Sequence, residues 1–347
     1  MTDTNPFAFF ERVCETYERA ERAAGGVVDR YYTIGGYTIR LRFAGPALVS
    51  RITPALEHLA ASPTPSVVNL TICLWDSVST LTSMPPCPWK WDDYMARGEL
   101  RGFSKAGIHA AAYVDVCAIS MLDEARNLGV YWIRNACHVP TYERGAPLRA
   151  IIHWWMRQRG RLLVHAGAVG RGDDGLLLVG KGGSGKSTAA LVSLLCGWRY
   201  AADDYCLLAA NGMPYAFSLY NTAKLSVTHL ENFPSLQPAI SNHAELPVEK
   251  ALLYLHQHRP SSLTKGLSVR AILLPRVTGR RETVVTSTTP AAALQALAPS
   301  SLFQLPGAGQ SEFLALADFV KRVPCYHLEL GTEIERIPET MQEVLLQ

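Results

Sequence analysis

Leu176-Leu-Leu-Val-Gly-Lys-Gly-Gly-Ser-Gly-Lys-Ser-Thr-Ala-Ala-Leu191 is the stretch on which the fold of this chain turns. Leu176 to Val179 is a short, wholly apolar run of the kind a buried strand needs, and Lys186 to Cys196 is a helix-forming run. Between them, Gly180 to Ser187 satisfies GxxxxGK[ST] in the strand-then-helix context that the motif requires. The glycines let the backbone curl until successive N–H groups converge on phosphate oxygens, a path that side chains would obstruct. Gly180, Lys181, Gly182, Gly183, Ser184, Gly185, Lys186, Ser187 and Thr188 are therefore the expected nucleotide-binding residues. Lys186 is expected to meet the β- and γ-phosphates of ATP, and Ser187, opening the helix, to ligate Mg²⁺ where the helix dipole favours anions.

The pattern continues on both sides. Leu162 to Val169 reads as a strand, Arg171 to Asp174 as a turn, and Tyr200 to Leu208 as a further strand after the loop's helix. Gly180, Gly182 and Gly185 also fit GxGxxG. A dinucleotide loop, however, has no use for Lys-Ser at its end and wants an acidic residue about twenty positions on, closing a ribose-binding strand.

Val164-His-Ala-Gly-Ala-Val169 lies upstream of the loop, and Ala201-Ala-Asp203-Asp204-Tyr205 follows its helix. A strand-borne histidine, a GxxGxGKS-type loop and paired aspartates together resemble the catalytic domain of HPr kinase/phosphorylase and its serine-kinase relatives. Phosphoenolpyruvate carboxykinase shares that layout but is a much longer enzyme. The resemblance is good over roughly residues 150 to 230 and loose to residue 347. It implies that His165 matches the active-site histidine, Lys186 and Ser187 the loop lysine and metal-ligand serine, and Asp204 the aspartate that accepts the substrate hydroxyl's proton. Asn221-Thr-Ala-Lys-Leu-Ser226 stands near where the HPr enzymes carry a glutamate-containing glycine-rich signature, of which there is no clear copy. The phosphorylase half of that activity is accordingly not expected. The chain is more similar to the divergent serine kinases of the superfamily, some of which modify peptide precursors.

A second likeness competes. Lys181-Gly-Gly-Ser-Gly-Lys-Ser-Thr188 is similar to the deviant Walker A of the ParA/MinD ATPases, with Lys181 as the extra lysine. In that family the loop opens the chain and an acidic DxD strand motif follows, and neither feature is present here. A hydrolytic switch of that type and a non-catalytic ATP-sensing protein are the alternatives to a kinase.

The chemistry makes the layout sensible without any family. Phosphoryl transfer needs a metal on the phosphates, cations to absorb developing charge, and a group that aligns the nucleophile. Adjacent carboxylates can divide those tasks, with Asp204 as base and Asp203 as metal or water ligand. In a continuous strand they would point to opposite faces, so both reach one site only if the strand ends or twists there. Lys224, Lys250, Arg270 and Arg276 are candidates for the further cation. His256 and His258 form an HxH pair with no evident third ligand, and read as surface residues.

The amino-terminal part reads as α+β. Phe10, Val13, Cys14, Tyr17 and Ala20 recur at helical spacing before Gly25-Gly26, and Val27 to Ile34 with Tyr37 to Phe43 predict a hairpin about Gly35-Gly36. A helix over Leu48 to Ala61 and strands over Val67 to Trp75, Ala110 to Met121 and Gly129 to Asn135 are expected. Met84 to Trp91, rich in proline, reads as a loop in which Trp89 and Trp91 pack. Leu148, Ile151, Ile152 and Trp155 form a helical stripe ending at Gly160, expected as the bridge into the second domain, and Pro290 to Ala298 reads as helical. The expected architecture is an α/β fold in which a P-loop domain of the HPr-kinase/PEP-carboxykinase type, residues 146–347, follows an α+β recognition domain, residues 1–145.

Composition agrees with two folded domains: 347 residues, 48% hydrophobic and 18% charged, with a formal net charge of +3. That charge is small and no dense Lys/Arg block occurs, so neither nucleic acid nor an anionic membrane is an expected partner. Met1 to Ala24 lacks the features of a signal peptide, and no apolar run approaches the roughly 20 residues of a membrane span, which predicts a cytoplasmic protein. The eight cysteines show no CxxC or zinc spacing, and most are expected to be small buried apolar residues. The expected partners are ATP and a protein or peptide acceptor bearing a serine hydroxyl, with a homo-oligomer left open.

Overall fold

Asn5 opens the first helix, Pro6–Ala23, by accepting from the amides of Phe7 and Ala8, with Pro6 at the first helical position where its missing N–H costs nothing. Phe9, Phe10, Val13, Tyr17 and Ala20 are the buried face, and the chain leaves the helix through Gly25 at φ +75°. The computed structural model describes residues 5–246 and 248–346, and the chain divides into two units, one up to Gln158 with Leu305–Gly307 and the other the remainder from Arg159.

In the first unit β1 (Val27–Ile34) and β2 (Tyr37–Ala44) form the expected hairpin. With β3 (Leu70–Asp76), β4 (Ile108–Tyr113), β5 (Ala118–Asp123) and β6 (Leu128–Ile133) they make a mixed six-stranded sheet in the order β1-β2-β3-β6-β5-β4. Three expectations change. Ala110 to Met121 is not one strand but the β4–β5 hairpin, turning where Cys117 adopts φ +50°. Leu48 to Ala61 holds only a four-residue helix, Val49–Ile52, and a 3₁₀ turn, Glu57–Leu59, with Pro54 between them unable to continue a helix. Val67 and Val68 lie outside β3 and are exposed. Trp89 packs edge-on against Phe9 and Phe103, whereas Trp91 is 76% exposed and does not join the core.

The helix Arg149–Arg157 belongs to this unit rather than opening the next. Trp155 donates its indole N–H to Asn127 at 2.8 Å and meets the Tyr37 ring at 5.2 Å. Gly129 leaves room for Ile151, whose Cγ2 would lie 2.9 Å from any Cβ there. The division therefore falls after Gln158 rather than at the expected residue 146.

In the second unit, β7 (Arg161–Val164), β8 (Gly167–Arg171), β9 (Asp174–Leu178), β10 (Arg199–Ala202), β11 (Cys206–Ala209) and β12 (Tyr215–Ser218) come first along the chain. β13 (Thr222–Leu225) and β14 (Ala251–Tyr254) pair separately, and β15 (Gly266–Val277), β16 (Val284–Thr288) and β17 (Cys325–Leu330) complete the set. The large sheet has the order β10-β8-β9-β15-β12-β11-β7, with β17 beside β15 and β16 beside β17. β9, β15 and β17 run parallel in a sheet whose other pairs are antiparallel.

The uninterrupted apolar runs of β9 and β15 follow from burial on both faces. Leu176 and Leu178 with Ala271 and Leu273 join the helices Lys186–Leu195 and Ile337–Leu345. Leu177 and Val179 with Ile272 and Leu274 join the helices Pro290–Leu302 and Gln310–Lys321 on the other side. Each such leucine contributes about 1.5–3 kcal/mol on burial, which anchors the strand before the glycine loop. Two long strands expected here are broken: Leu162 to Val169 parts at His165-Ala166, and Tyr200 to Leu208 at Asp203-Asp204-Tyr205.

Of the eight cysteines only Cys73, Cys206 and Cys325 are buried, while Cys87, Cys137 and Cys196 are exposed, so burial is not their common property. Among the described residues no helix is long and apolar enough to cross a membrane.

Candidate active site

Leu178 ends β9, and the chain then turns through Gly180–Gly185 into the helix Lys186–Leu195. Gly185 takes φ +101°, and a Cβ there would sit 2.2 Å from Leu330 Cδ1, so backbone conformation and packing both demand glycine. Lys186 is 6% exposed, and its ammonium donates to the carbonyls of Gly180 at 2.6 Å and Lys181 at 3.2 Å. Burial, helped by the charge of Lys250, pulls that ammonium below the usual lysine range against the attraction of Asp203 and Asp204.

The two strand breaks aim the neighbouring side chains. β10 stops at Ala202, which frees Asp203 and Asp204 from the alternation of a strand, and both line one cleft. β7 stops at Val164, and His165, its amide donating to Ser301 Oγ at 3.1 Å, turns its ring to the same place. His165 Nε2 lies 2.8 Å from Asp204 Oδ1, and Lys224 Nζ, on β13, lies 2.9 Å from Asp204 Oδ2. The Tyr205 ring stands 5.3 Å from the imidazole and donates its hydroxyl to Gln304 at 2.6 Å.

The adjacent carboxyls differ in kind. Burial works to raise Asp204, but Lys224 and His165 outweigh it and hold its carboxyl well below the usual range. Asp203 is raised to about 6, first by burial and then by the charge of Asp204, with Ser187 and the Lys224 amide opposing. Asp203 Oδ2 accepts from the Lys224 amide at 3.3 Å, and its buried Oδ1 has no hydrogen-bond donor among the described residues. Asp203 is the deeper of the two at 3% exposed, while the Asp204 side chain is 20% exposed.

The cleft has a volume of about 680 Å³, within the usual range for small-molecule sites. Gly182 to Thr188, His165, Asp203, Asp204, Lys224 and Lys250 all line it. Gly180 and Lys181 do not line it; they supply carbonyls to Lys186, and the Lys181 side chain is exposed. Arg270 pairs with Asp174 and Arg276 with Glu329, both outside the cleft lining. His258 is exposed, His256 is half-buried, and no group of three metal-ligating side chains occurs among the described residues.

Sequence reasoning missed part of the wall. Ser226, His229 and Asn232 lie just beyond Lys224, and Leu330, Gly331, Thr332, Ile334, Glu335 and Ile337 come from the far end of the chain. The latter arrive because β17 pairs in parallel with β15, which itself pairs with β9. Only the apolar alternation of β17 could have hinted at this, and it carries no chemistry.

No family model and no curated protein matches the chain. Among solved structures it is similar to the Hpr(Ser) kinase/phosphatase from Coxiella burnetii at a TM-score of 0.29 and 9% identity, covering 53% of this chain and 93% of that one. The likeness is distant, and the chemistry of the cleft stands on its own side chains. They assemble a glycine loop at a helix N-terminus, a buried lysine, two unlike carboxyls and an imidazole–carboxylate–ammonium chain.

Proposed function

We propose that this protein is an ATP-dependent kinase that transfers the γ-phosphate of ATP to a serine hydroxyl of a protein or peptide. The observation that carries the reading is the convergence of Gly182–Ser187, Lys186, Asp203, Asp204 and His165 on one cleft. Loop amides and the helix N-terminus suit the phosphate oxygens, and Lys186, already directed along the loop by two carbonyls, suits their charge.

Asp204 is the base in this reading. It is the shallower carboxylate, and it is kept ionised and oriented by Lys224 and His165, which favours an acceptor hydroxyl reaching it rather than Asp203. The bond between the γ-phosphorus and the ADP oxygen breaks, a bond from phosphorus to the serine oxygen forms, and the hydroxyl proton passes to Asp204. Because the transition state of such transfers is loose, the carboxylate contributes mainly by aligning the hydroxyl, so a low proton affinity does not disqualify it.

Mg²⁺ fits the residues present. The buried Asp203 Oδ1 has no hydrogen-bond donor among the described residues and Ser187 lines the same cleft, and this ion takes one or two carboxylates together with phosphate oxygens and water. When bound by Ser187 and Asp203, the ion would neutralise phosphate charge. The test is incubation with Mg²⁺, γ-labelled ATP and a serine-containing peptide library. Label on serine with the native protein, appearing at least about 10²-fold more slowly with Asp204→Asn, is the expected result. Release of label solely as inorganic phosphate would favour the switch instead.

A further inference from the structure

Four cations were open to a role beyond Lys186, and three are already engaged. Lys224 is bound to Asp204 at 2.9 Å, and Arg270 and Arg276 pair with carboxylates outside the cleft. Lys250 differs: it lines the cleft, is exposed, and has no ion-pair partner among the described residues. Lys186 and Lys250 line the same cleft, and the charge of Lys250 adds to the burial that lowers the Lys186 ammonium.

The backbone that carries Lys250 is held by neighbouring side chains as well as by its strand. Asn242, 3% exposed, donates its Nδ2 to the Lys250 carbonyl at 2.9 Å and accepts at Oδ1 from the Leu252 amide at 2.8 Å. Ser241 adds two donors to the Leu252 carbonyl, at 2.8 Å from its amide and 2.9 Å from its hydroxyl. β14 is thereby pinned where it starts, opposite the end of β13, with a long flexible cation projecting from a fixed root. A cation left unpaired at a site built for anions, on a backbone whose ordering cost is already met, is a ligand contact in waiting.

The geometry points to Lys250 as the residue that recognises the terminal phosphate and so distinguishes ATP from ADP. This assignment rests on the cleft being the ATP site. The loop amides hold the phosphates common to both nucleotides, whereas the extra charge of a triphosphate is what an uncommitted ammonium answers.

Calorimetry on the full chain with Mg²⁺ and either ADP or a non-hydrolysable ATP analogue tests it. For Lys250→Ala the expectation is a loss of about tenfold in affinity for the analogue, the size of one charge-assisted hydrogen bond, with ADP unchanged. Lys250→Arg should restore most of the loss, which a purely structural role would not predict. Equal weakening of both nucleotides, or of neither, overturns the assignment. A native protein that takes up neither nucleotide overturns the kinase reading itself, and this assignment with it.

Discussion

Asp76 in the first unit and Asp203 in the second are buried alike, at 2% and 3% exposed, yet they are treated differently by their surroundings. Asp76 ends β3 and caps the short helix Ser77–Thr80, its Oδ2 accepting from the Ser79 amide at 2.9 Å and its Oδ1 from the Ser79 hydroxyl. Asp203 follows β10 and keeps one oxygen without a hydrogen-bond donor among the described residues. Three arginines of the first unit give a parallel case. Arg40 meets Asp29, Arg42 meets Glu21, and Arg126 meets Glu11 and Asp123, all as ordinary pairs. In the cleft, three lysines and two aspartates crowd together, and Lys250 has no ion-pair partner among the described residues. Buried polar groups are normally satisfied, and the proposed reading is that a ligand completes the set in the cleft.

The sharpest way to break that comparison is to remove Asp204. If its contacts with His165 and Lys224 serve a reaction, Asp204→Asn lowers phosphoryl transfer by about 10²–10⁴-fold with nucleotide binding retained. Unchanged transfer in a labelled-ATP assay would make the trio no more than another structural ion pair. Next in size is Gly185→Ala. A side chain at φ +101° against Leu330 is expected to cost about 1–3 kcal/mol in thermal or denaturant unfolding and to impair nucleotide uptake, and a neutral result would mean the loop can shift.

The two buried aspartates can be set directly against each other. Asp76→Ala should lose about 1 kcal/mol of stability, as other lost N-caps do, and leave nucleotide affinity alone. Asp203→Asn should leave the unfolding midpoint unchanged or raised while weakening nucleotide binding in the presence of Mg²⁺. Identical behaviour of the two would erase the distinction.

The smallest effect concerns His109, buried on β4 against the Trp154 ring and beside Glu124. Burial lowers its affinity for protons in the fold, and Glu124 only partly offsets that. A depressed folded pKa means the contribution to stability is complete above the unfolded value of about 6.5 and is lost as pH falls through the folded value. Unfolding midpoints measured from pH 7.5 to 4.5 should decline less steeply in His109→Gln than in the native protein. Parallel profiles would show that His109 does not titrate with folding.

Local features were legible where one segment carried both the structure and its reason. The β1–β2 hairpin about Gly35-Gly36, the first helix with its Phe10, Val13, Tyr17 stripe, and the strand, loop and helix around Gly180 all stand where the residues indicated. Reading failed where a polar residue inside a strand-like run marked a break. Asp115 in Ala110 to Met121, His165 in Leu162 to Val169 and Asp203-Asp204 in Tyr200 to Leu208 each sit where a strand stops, but the apolar residues on either side fit one strand or two, and only pairing partners decide between them.

The amino-acid sequence alone determined the glycine loop and its neighbours, since close backbone approach, left-handed φ and a helix N-terminus are demands that a few consecutive residues meet by themselves. Tertiary structure alone decided which polar groups share a cleft. His165, Asp204, Lys224, Lys250 and the Leu330–Ile337 segment are far apart along the chain; the separate β13–β14 pair carries Lys224 and, where β14 starts, Lys250, and strand breaks with the pairing of β9, β15 and β17 bring in the others. Those pairings are set by burial on both faces of the sheet, a property of the whole unit that no short stretch contains.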